Sequence, residues 1–93
     1  MNQTLITRTV AVVNRQGLHA RAALAVANLV RQFDAKVTLV LDDQRAETTE
    51  MLQMLSLGAG QGRTIQVESV GPNAEIVAEA VASLFANKFY EEE

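Results

Sequence analysis

The sequence predicts a small α+β protein in which helices cover one face of an antiparallel sheet. Strand-like segments with alternating or β-branched residues are interleaved with segments whose apolar residues recur at helical spacing. In chain order the predicted elements are β-α-β-β-α-β-α, which is typical of a two-layer sandwich. A length of 93 residues suits one modest core, so we expect residues 1–93 to form a single domain.

The first half of the chain is predicted to form a strand, a helix and a hairpin. Residues 5–13 are rich in β-branched types and predict a strand that stops before Gly17. Residues 20–33 contain five alanines and two leucines, which favours a helix with a broad apolar face. Residues 35–42 alternate as a second strand does, and a turn then leads to a short return strand over residues 45–48. The buried face of the second strand is expected to hold Val37, Leu39 and Leu41.

The second half is predicted to add a helix, a strand and a last helix. Residues 48–58 favour a short helix that Thr48 or Thr49 caps. Residues 63–70 alternate again and predict a strand. Asn73 is then expected to cap the final helix. The apolar stripe of that helix is predicted to consist of Ile76, Val77, Ala80, Val81, Leu84 and Phe85.

The composition argues against metal and cofactor sites. The chain has no cysteine, which excludes disulfides and thiolate metal sites. Its single histidine has no second histidine or acidic partner at helical spacing, so we expect no metal site. Residues 58–63, GAGQGR, match neither the dinucleotide fingerprint nor the phosphate-loop pattern. We therefore expect no cofactor, and interpret that segment as a flexible connection.

Nucleic-acid and membrane partners are also disfavoured. The chain has no cluster of lysines and arginines and four aromatic residues in all. No apolar run approaches the roughly 18 residues of a membrane span, and the N-terminal sequence lacks a signal-peptide pattern. We therefore expect a soluble cytoplasmic protein without membrane insertion.

Charge is unevenly distributed along the chain. The first 33 residues carry four arginines and no acidic residue, whereas three glutamates end the chain. The arginines are Arg8, Arg15, Arg21 and Arg31, and the glutamates are Glu91, Glu92 and Glu93. A positive N-terminal third suits an anion or an acidic partner surface. Scattered solvated arginines account for the same pattern, so charge alone leaves both interpretations open.

The single histidine, His19, is predicted to lie at the start of the first helix. The first amides of a helix lack internal partners and its dipole makes that end positive, so phosphate binds there readily. A neutral imidazole nitrogen is a competent nucleophile, and Arg21 supplies a counter-charge for an anion on the ring. The helix end and Arg21 also disfavour extra positive charge on the ring. A surface histidine beside a solvated arginine fits the same residues, and physical reasoning alone leaves that alternative open.

The segment GLHARAA, residues 17–23, closely resembles the active-site motif of the histidine-containing phosphocarrier (HPr) family of the bacterial phosphotransferase system. That motif is Gly-Leu/Ile-His-Ala/Thr-Arg-Pro-Ala. The resemblance covers nearly the whole chain, because MLSLGAGQG matches the end of the family's second helix and the order of elements agrees. The ending GPNAEIVAEAVASLF looks more like the nitrogen-related branch than the sugar branch. The resemblance implies an open-faced β-sandwich: a four-stranded antiparallel sheet in the order 1-4-2-3 with three helices on one face.

The resemblance also implies a stoichiometric phosphoryl carrier rather than a free-standing enzyme. His19 would accept a phosphoryl group on Nδ1 from phospho-Enzyme I, which is charged by phosphoenolpyruvate. It would pass the group to an Enzyme IIA-type protein in sugar uptake or its regulation. Arg21 falls on the motif arginine and would steady the phosphoryl group and contact partners. The carrier would be a monomer.

Two positions depart from the family's pattern. Ala22 stands where the motif has proline, which frees the backbone and adds one N–H donor near the helix start. We expect phosphoryl transfer to survive this change, because proline has no chemical role. Glu50 aligns with the family's regulatory serine and is not a substrate for a serine kinase. It either imitates a charged phosphoserine or stabilises the start of the second helix, and we favour the second interpretation.

The family's partners dock on an apolar surface beside the active site. The corresponding residues here are Ala20 and Leu24 on the first helix, and Met51, Leu52 and Leu55 on the second. Methionine adapts to several partner surfaces. We expect Met51 and Leu55 to be partly exposed, although a core role for Met51 and Leu52 also fits the pattern.

Two other functions are compatible with the sequence. A regulatory relative would accept phosphate at His19 but control a transcription or metabolic protein through its docking face. A binding module would keep the fold and lose phosphotransfer. Ala22 favours this last interpretation, whereas the presence of both His19 and Arg21 weakens it.

Overall fold

A computed structural model of the chain describes residues 4–91. The strands are β1 (Ile6–Ala11), β2 (Lys36–Leu41), β3 (Gln44–Glu47) and β4 (Thr64–Val70). The helices are α1 (Ala20–Val30), α2 (Met51–Ser56) and α3 (Ala74–Ala86), and a short turn at Lys88–Tyr90 follows. Within the described range, none of the helices has the length and apolar character needed to cross a membrane. The expectations for residues 1–3, Glu92 and Glu93 lie outside the described residues.

The four strands form one antiparallel sheet in the order β1-β4-β2-β3, which confirms the expected topology. Directly opposed residues of antiparallel strands share a face. Val10 of β1 pairs with Ile65 of β4, and Leu39 of β2 pairs with both Val67 of β4 and Ala46 of β3. All of these side chains are buried, so the register aligns the apolar residues of four strands on one face.

The helices cover that face and bury their apolar sides against it. The fully buried side chains include Val26 of α1, Met54 of α2 and Phe85 of α3, together with Leu39 and Ile65 of the sheet. The predicted buried face of β2 is confirmed, because Val37, Leu39 and Leu41 are all buried. One hydrophobic cluster therefore joins the sheet to all three helices.

The buried face of α3 matches the predicted stripe at Val77, Val81, Leu84 and Phe85 and differs from it elsewhere. Ile76 is 61% exposed, so its assignment to the core was wrong. Ala74 and Ala78, which lay outside the predicted stripe, are also buried, and Ala80 is half-buried. Ile76 lies outside the arc of the helix that these buried residues define.

The side chains that were predicted to cap α2 and α3 do not make the expected capping hydrogen bonds. Glu50, and not Thr48 or Thr49, is the N-cap residue of α2. The Thr48 hydroxyl instead donates to the carbonyl oxygen of Val37 at 2.9 Å, so it fastens the chain to β2. Asn73 is the N-cap residue of α3 but makes no capping hydrogen bond, because its Oδ1 accepts from the Asp34 amide at 2.8 Å.

Candidate functional site

His19 is the N-cap residue of α1 and has an extended backbone, with φ −82° and ψ −177°. Its carbonyl oxygen accepts the first hydrogen bond of the helix, from the Ala23 amide at 2.8 Å. Its side chain makes no capping bond, so the amides of Ala20, Arg21 and Ala22 have no hydrogen-bond partner within residues 4–91. An imidazole therefore lies beside a set of unpaired helix-end amides, and such amides bind anions.

The turn at Gly17 directs the chain into this helix. Gly17 has a φ of +68°, and a Cβ at this position would lie 2.5 Å from the carbonyl oxygen of Ala59. That same oxygen accepts a hydrogen bond from the Leu18 amide at 2.9 Å. Glycine is therefore required both for the backbone angle and for the close approach of two backbone segments.

The loop over residues 58–62 supports the segment that precedes His19. The Gly62 amide donates to Val12 at 2.8 Å, and the Gln61 side chain donates to the carbonyl oxygen of Val13 at 3.1 Å. The Val12 amide returns a bond to Arg63 at 2.9 Å. Sequence reasoning treated this loop as a flexible connection. The structure shows that backbone and side-chain hydrogen bonds connect this loop to the chain on both sides of Val12 and Val13.

Glu91 brings a carboxylate to the His19 ring from the far end of the chain. Its Oε2 contacts Nε2 of His19, and its Oε1 accepts a hydrogen bond from Nδ2 of Asn14 at 3.0 Å. Asn14 is fully buried and also donates to the carbonyl oxygen of Gly17 at 2.8 Å. The side chains of Glu91 and His19 are 7% and 20% exposed. Glu91, which is held by Asn14, thus contacts one edge of the imidazole.

The C-terminal turn (Lys88–Tyr90) positions Glu91. All three of its residues have left-handed backbone angles, with φ values of 56°, 56° and 59°. A left-handed conformation costs a residue with a side chain about 1–2 kcal/mol. Phe89 offsets part of this cost because it is buried and packs edge-to-face on Phe85, with ring centroids 4.8 Å apart.

The arginines of the N-terminal third do not all belong to this site. Arg21 is exposed at the start of α1, and within residues 4–91 it makes no hydrogen bond or ion pair. Arg8 pairs with Glu79 and lies near Glu75, both on α3. Arg31 contacts the side chain of Asn28. Arg8 and Arg31 therefore have local partners away from His19, and Arg21 is the cation adjacent to the unpaired amides.

The residues of the expected docking surface form an exposed apolar patch on α1 and α2. Leu24, Leu52 and Leu55 are 48%, 78% and 36% exposed, and Met51 is half-buried. Ala20 is exposed one turn before Leu24, on the same side of α1. Met51 and Leu55 are thus partly exposed as expected, and Met54 supplies the buried side of α2.

Ala22 and Glu50, the two residues that depart from the family's pattern, lie at the starts of α1 and α2. Ala22 has a fully buried side chain, and its amide is one of the unpaired donors at the start of α1. Glu50 is exposed at the start of α2, where its side chain makes no capping bond. Its charge therefore acts on the helix end through space.

Asn14 and Glu91 were missed by the sequence reasoning. Asn14 looks like an ordinary loop residue, and Glu91 looked like part of a solvated acidic tail 72 residues away from His19. Sequence placed positive groups alone beside the ring, whereas the structure adds a carboxylate. The one available signal was the contrast between an acid-free N-terminal third and an acidic chain end.

Comparison with known proteins gives relatives along nearly the whole chain. The chain is 38% identical over 88 residues to phosphocarrier protein NPr of Shewanella violacea, which covers 95% of this chain and 97% of that protein. It is 38% identical to NPr of Escherichia coli K12, covering 94% and 98%. It is 34% identical to phosphocarrier protein HPr of Treponema pallidum, covering 95% and 100%.

Solved structures and a family model agree with these relatives. An HPr structure from Thermoanaerobacter tengcongensis matches with a TM-score of 0.89 and 26% identity, covering 95% of this chain and 99% of that one. HPr from Bacillus anthracis matches with a TM-score of 0.80, covering 85% and 94%. The family described as "PTS HPr component phosphorylation site" matches residues 6–87, which include His19 and its surroundings. The chain therefore belongs to the HPr family of the phosphotransferase system.

Proposed function

We propose that this chain is a phosphocarrier that holds a phosphoryl group on His19 during its passage between two proteins of the phosphotransferase system. The observation that carries the proposal is the position of His19. Its ring adjoins the amides of Ala20, Arg21 and Ala22, which have no protein partner in the described range. A phosphoryl group on the ring would find these donors already in place.

The ring nitrogen that accepts the phosphoryl group is Nδ1. Glu91 occupies Nε2, whereas Nδ1 has no hydrogen-bond partner among residues 4–91. The Nδ1 lone pair attacks phosphorus, and the bond between phosphorus and the donor atom of phospho-Enzyme I breaks with its electron pair returning to the donor. Transfer to the next protein reverses these roles.

Arg21 stabilises the charge of the phosphoryl group. It is exposed, lies in the first turn of α1 and has no competing carboxylate in the described part of the chain. A guanidinium binds phosphate through two charge-assisted hydrogen bonds. The proposed roles of His19 and Arg21 are therefore nucleophile and anion clamp.

The exposed apolar patch of α1 and α2 is the proposed docking surface. It consists of Leu24, Leu52 and Leu55, which are exposed on α1 and α2, together with Ala20 and Met51. Partners that match it would be Enzyme I as donor and an Enzyme IIA-type protein as acceptor. We place the chain in the nitrogen-related branch, since two of its relatives at 38% identity are NPr proteins. A cytoplasmic location and a monomeric state remain predictions.

The test is incubation with phosphoenolpyruvate and Enzyme I of each branch. We expect one acid-labile, base-stable phosphoryl group per chain, and no label on His19→Ala at equal thermal stability. Transfer to nitrogen-type and sugar-type Enzyme IIA proteins then assigns the branch. Absence of label on the native chain with its cognate Enzyme I would refute the carrier role and favour a protein that acts by binding alone.

A further inference from the structure

We infer that Glu91 is a positioning residue for His19, whose carboxylate keeps the ring hydrogen on Nε2 and thereby leaves Nδ1 as the nucleophile. The inference rests on the proposed function, because it concerns the reaction at the same ring. Glu91 lies beyond residues 6–87, which the family model matches.

The contact defines the position of the ring hydrogen. An ionised carboxylate has no hydrogen to donate and acts as an acceptor alone. The hydrogen in the contact between Glu91 Oε2 and His19 Nε2 therefore belongs to Nε2. In a neutral ring this leaves Nδ1 with its lone pair. The same logic makes a buried carboxylate select one tautomer of a catalytic histidine in hydrolases.

The carboxylate is itself held in place from two directions. Asn14 Nδ2 donates to Glu91 Oε1 at 3.0 Å, and Asn14 is anchored in turn by its bond to the Gly17 carbonyl oxygen. From the other side, the buried Phe89 secures the left-handed turn that precedes Glu91. With its side chain 7% exposed, Glu91 is largely shielded from water. Such shielding strengthens a charge-assisted hydrogen bond.

The Glu91 carboxylate also stabilises the phosphorylated form of the His19 ring. When Nδ1 forms its bond to phosphorus, the ring hydrogen stays on Nε2 and the imidazole gains one positive charge. The donor atom of phospho-Enzyme I leaves with the electron pair of the broken bond, so no proton needs to move from His19. Glu91 Oε2 then accepts a charge-assisted hydrogen bond from Nε2. Glu91 therefore favours both the reactive tautomer and the product of phosphoryl uptake.

The first arm of the test measures the tautomer by nitrogen-15 NMR of labelled imidazole at about pH 9, where an ordinary histidine is neutral. In the native chain we expect Nε2 to be protonated and Nδ1 unprotonated. In Glu91→Ala we expect a mixture of both tautomers. Equal tautomer populations in the two proteins, a hydrogen on Nδ1 or a doubly protonated native ring would each overturn the inference.

The second arm measures the rate of phosphoryl uptake from phospho-Enzyme I. We expect Glu91→Ala to be about tenfold slower, the loss of one hydrogen bond to a charged group. Glu91→Gln keeps one acceptor oxygen and should recover part of that rate. The control is Glu79→Ala, which removes an acidic side chain that pairs with Arg8 instead, and it should react as the native chain does. Thermal unfolding checks that all variants fold.

The two proposals fail differently. If the native chain takes no label, the carrier role fails, and the NMR arm alone decides whether Glu91 selects the tautomer. If the native chain is labelled and Glu91→Ala reacts at the native rate, the carrier role stands. The positioning role of Glu91 is then refuted, even if the tautomer changes.

Discussion

The starts of α1 and α2 both lack a side-chain capping hydrogen bond, but they differ in the chemistry of the N-cap residue. Each helix begins after an extended N-cap residue that makes no capping hydrogen bond, and neither has an acidic residue in its first turn. At α2 the N-cap residue is Glu50, which carries a permanent negative charge. At α1 it is His19, which is proposed to carry an anionic phosphoryl group. One helix end has a fixed anion, and the other is proposed to receive a transferable one.

The two helix starts also differ in the number of chain segments that position the N-cap residue. Glu50 is exposed and depends on its own helix for its effect. His19 depends on the Gly17 turn, on the backbone of residues 58–62 and on Asn14 and Glu91. A permanent charge near a helix end needs no orientation, whereas a nucleophile requires a defined ring position. The comparison teaches that the helix end proposed to be reactive is supported by distant parts of the chain, whereas the other is not.

Removal of the Gly17 turn should produce the largest loss of stability. Gly17→Ala places a Cβ against the Ala59 carbonyl oxygen in a left-handed backbone. We expect the free energy of unfolding to fall by about 2–4 kcal/mol in urea titrations. The control is Gly60→Ala, since a Cβ there meets nothing within 4 Å, and we expect it to be neutral or slightly stabilising. Equal stability of the two variants would show that the turn tolerates a side chain.

Arg21→Ala should slow phosphoryl uptake about tenfold, because one charge-assisted contact of the phosphoryl group is lost. The unfolding free energy should change by less than about 0.5 kcal/mol, since Arg21 is exposed. Arg31→Ala, an exposed arginine just after the same helix, is the matched control for charge and should react at the native rate. Equal transfer rates in rapid-quench measurements on both variants would remove Arg21 from the site.

Ala22→Pro should be tolerated, because the Ala22 amide donates no hydrogen bond within the described residues. We expect the unfolding free energy to change by no more than about 1 kcal/mol, with phosphoryl uptake retained. Ala25→Pro is the control in the helix interior and should cost about 3 kcal/mol. If the two variants were destabilised equally, the buried space around Ala22 would have no room for the ring.

The smallest effect is expected at α2. Glu50→Gln removes the fixed anion from the helix start and should lower the unfolding free energy by about 0.5 kcal/mol. The difference should shrink in about 1 M salt, because exposed charges are screened. Glu50→Asp keeps the charge and should retain the stability. A Glu50→Gln variant as stable as the native chain at low salt would argue against a dipole role for Glu50.

Local sequence patterns predicted most of the secondary structure and the segment of the candidate site that contains His19 and Arg21. Alternation located Val37, Leu39 and Leu41 on the buried face, and the alanine-rich run located α1. The segment around His19 and Arg21 was recognisable because its nucleophile, helix start and cation are neighbours in sequence. These features depend on contacts between residues a few positions apart, which a sequence displays directly.

Tertiary structure decided the features that depend on distant partners. Ile76 is exposed because the packing of α3 on the sheet selects which arc of an apolar helix is covered. Thr48 does not cap α2 because β2 offers its hydroxyl a carbonyl oxygen. Glu91 reaches His19 across 72 residues through a left-handed turn that a buried phenylalanine stabilises. Sequence thus indicated a candidate nucleophile and its helix. Only the packed chain brings a carboxylate to the ring of that residue, because this contact depends on how the C-terminal turn folds against the core.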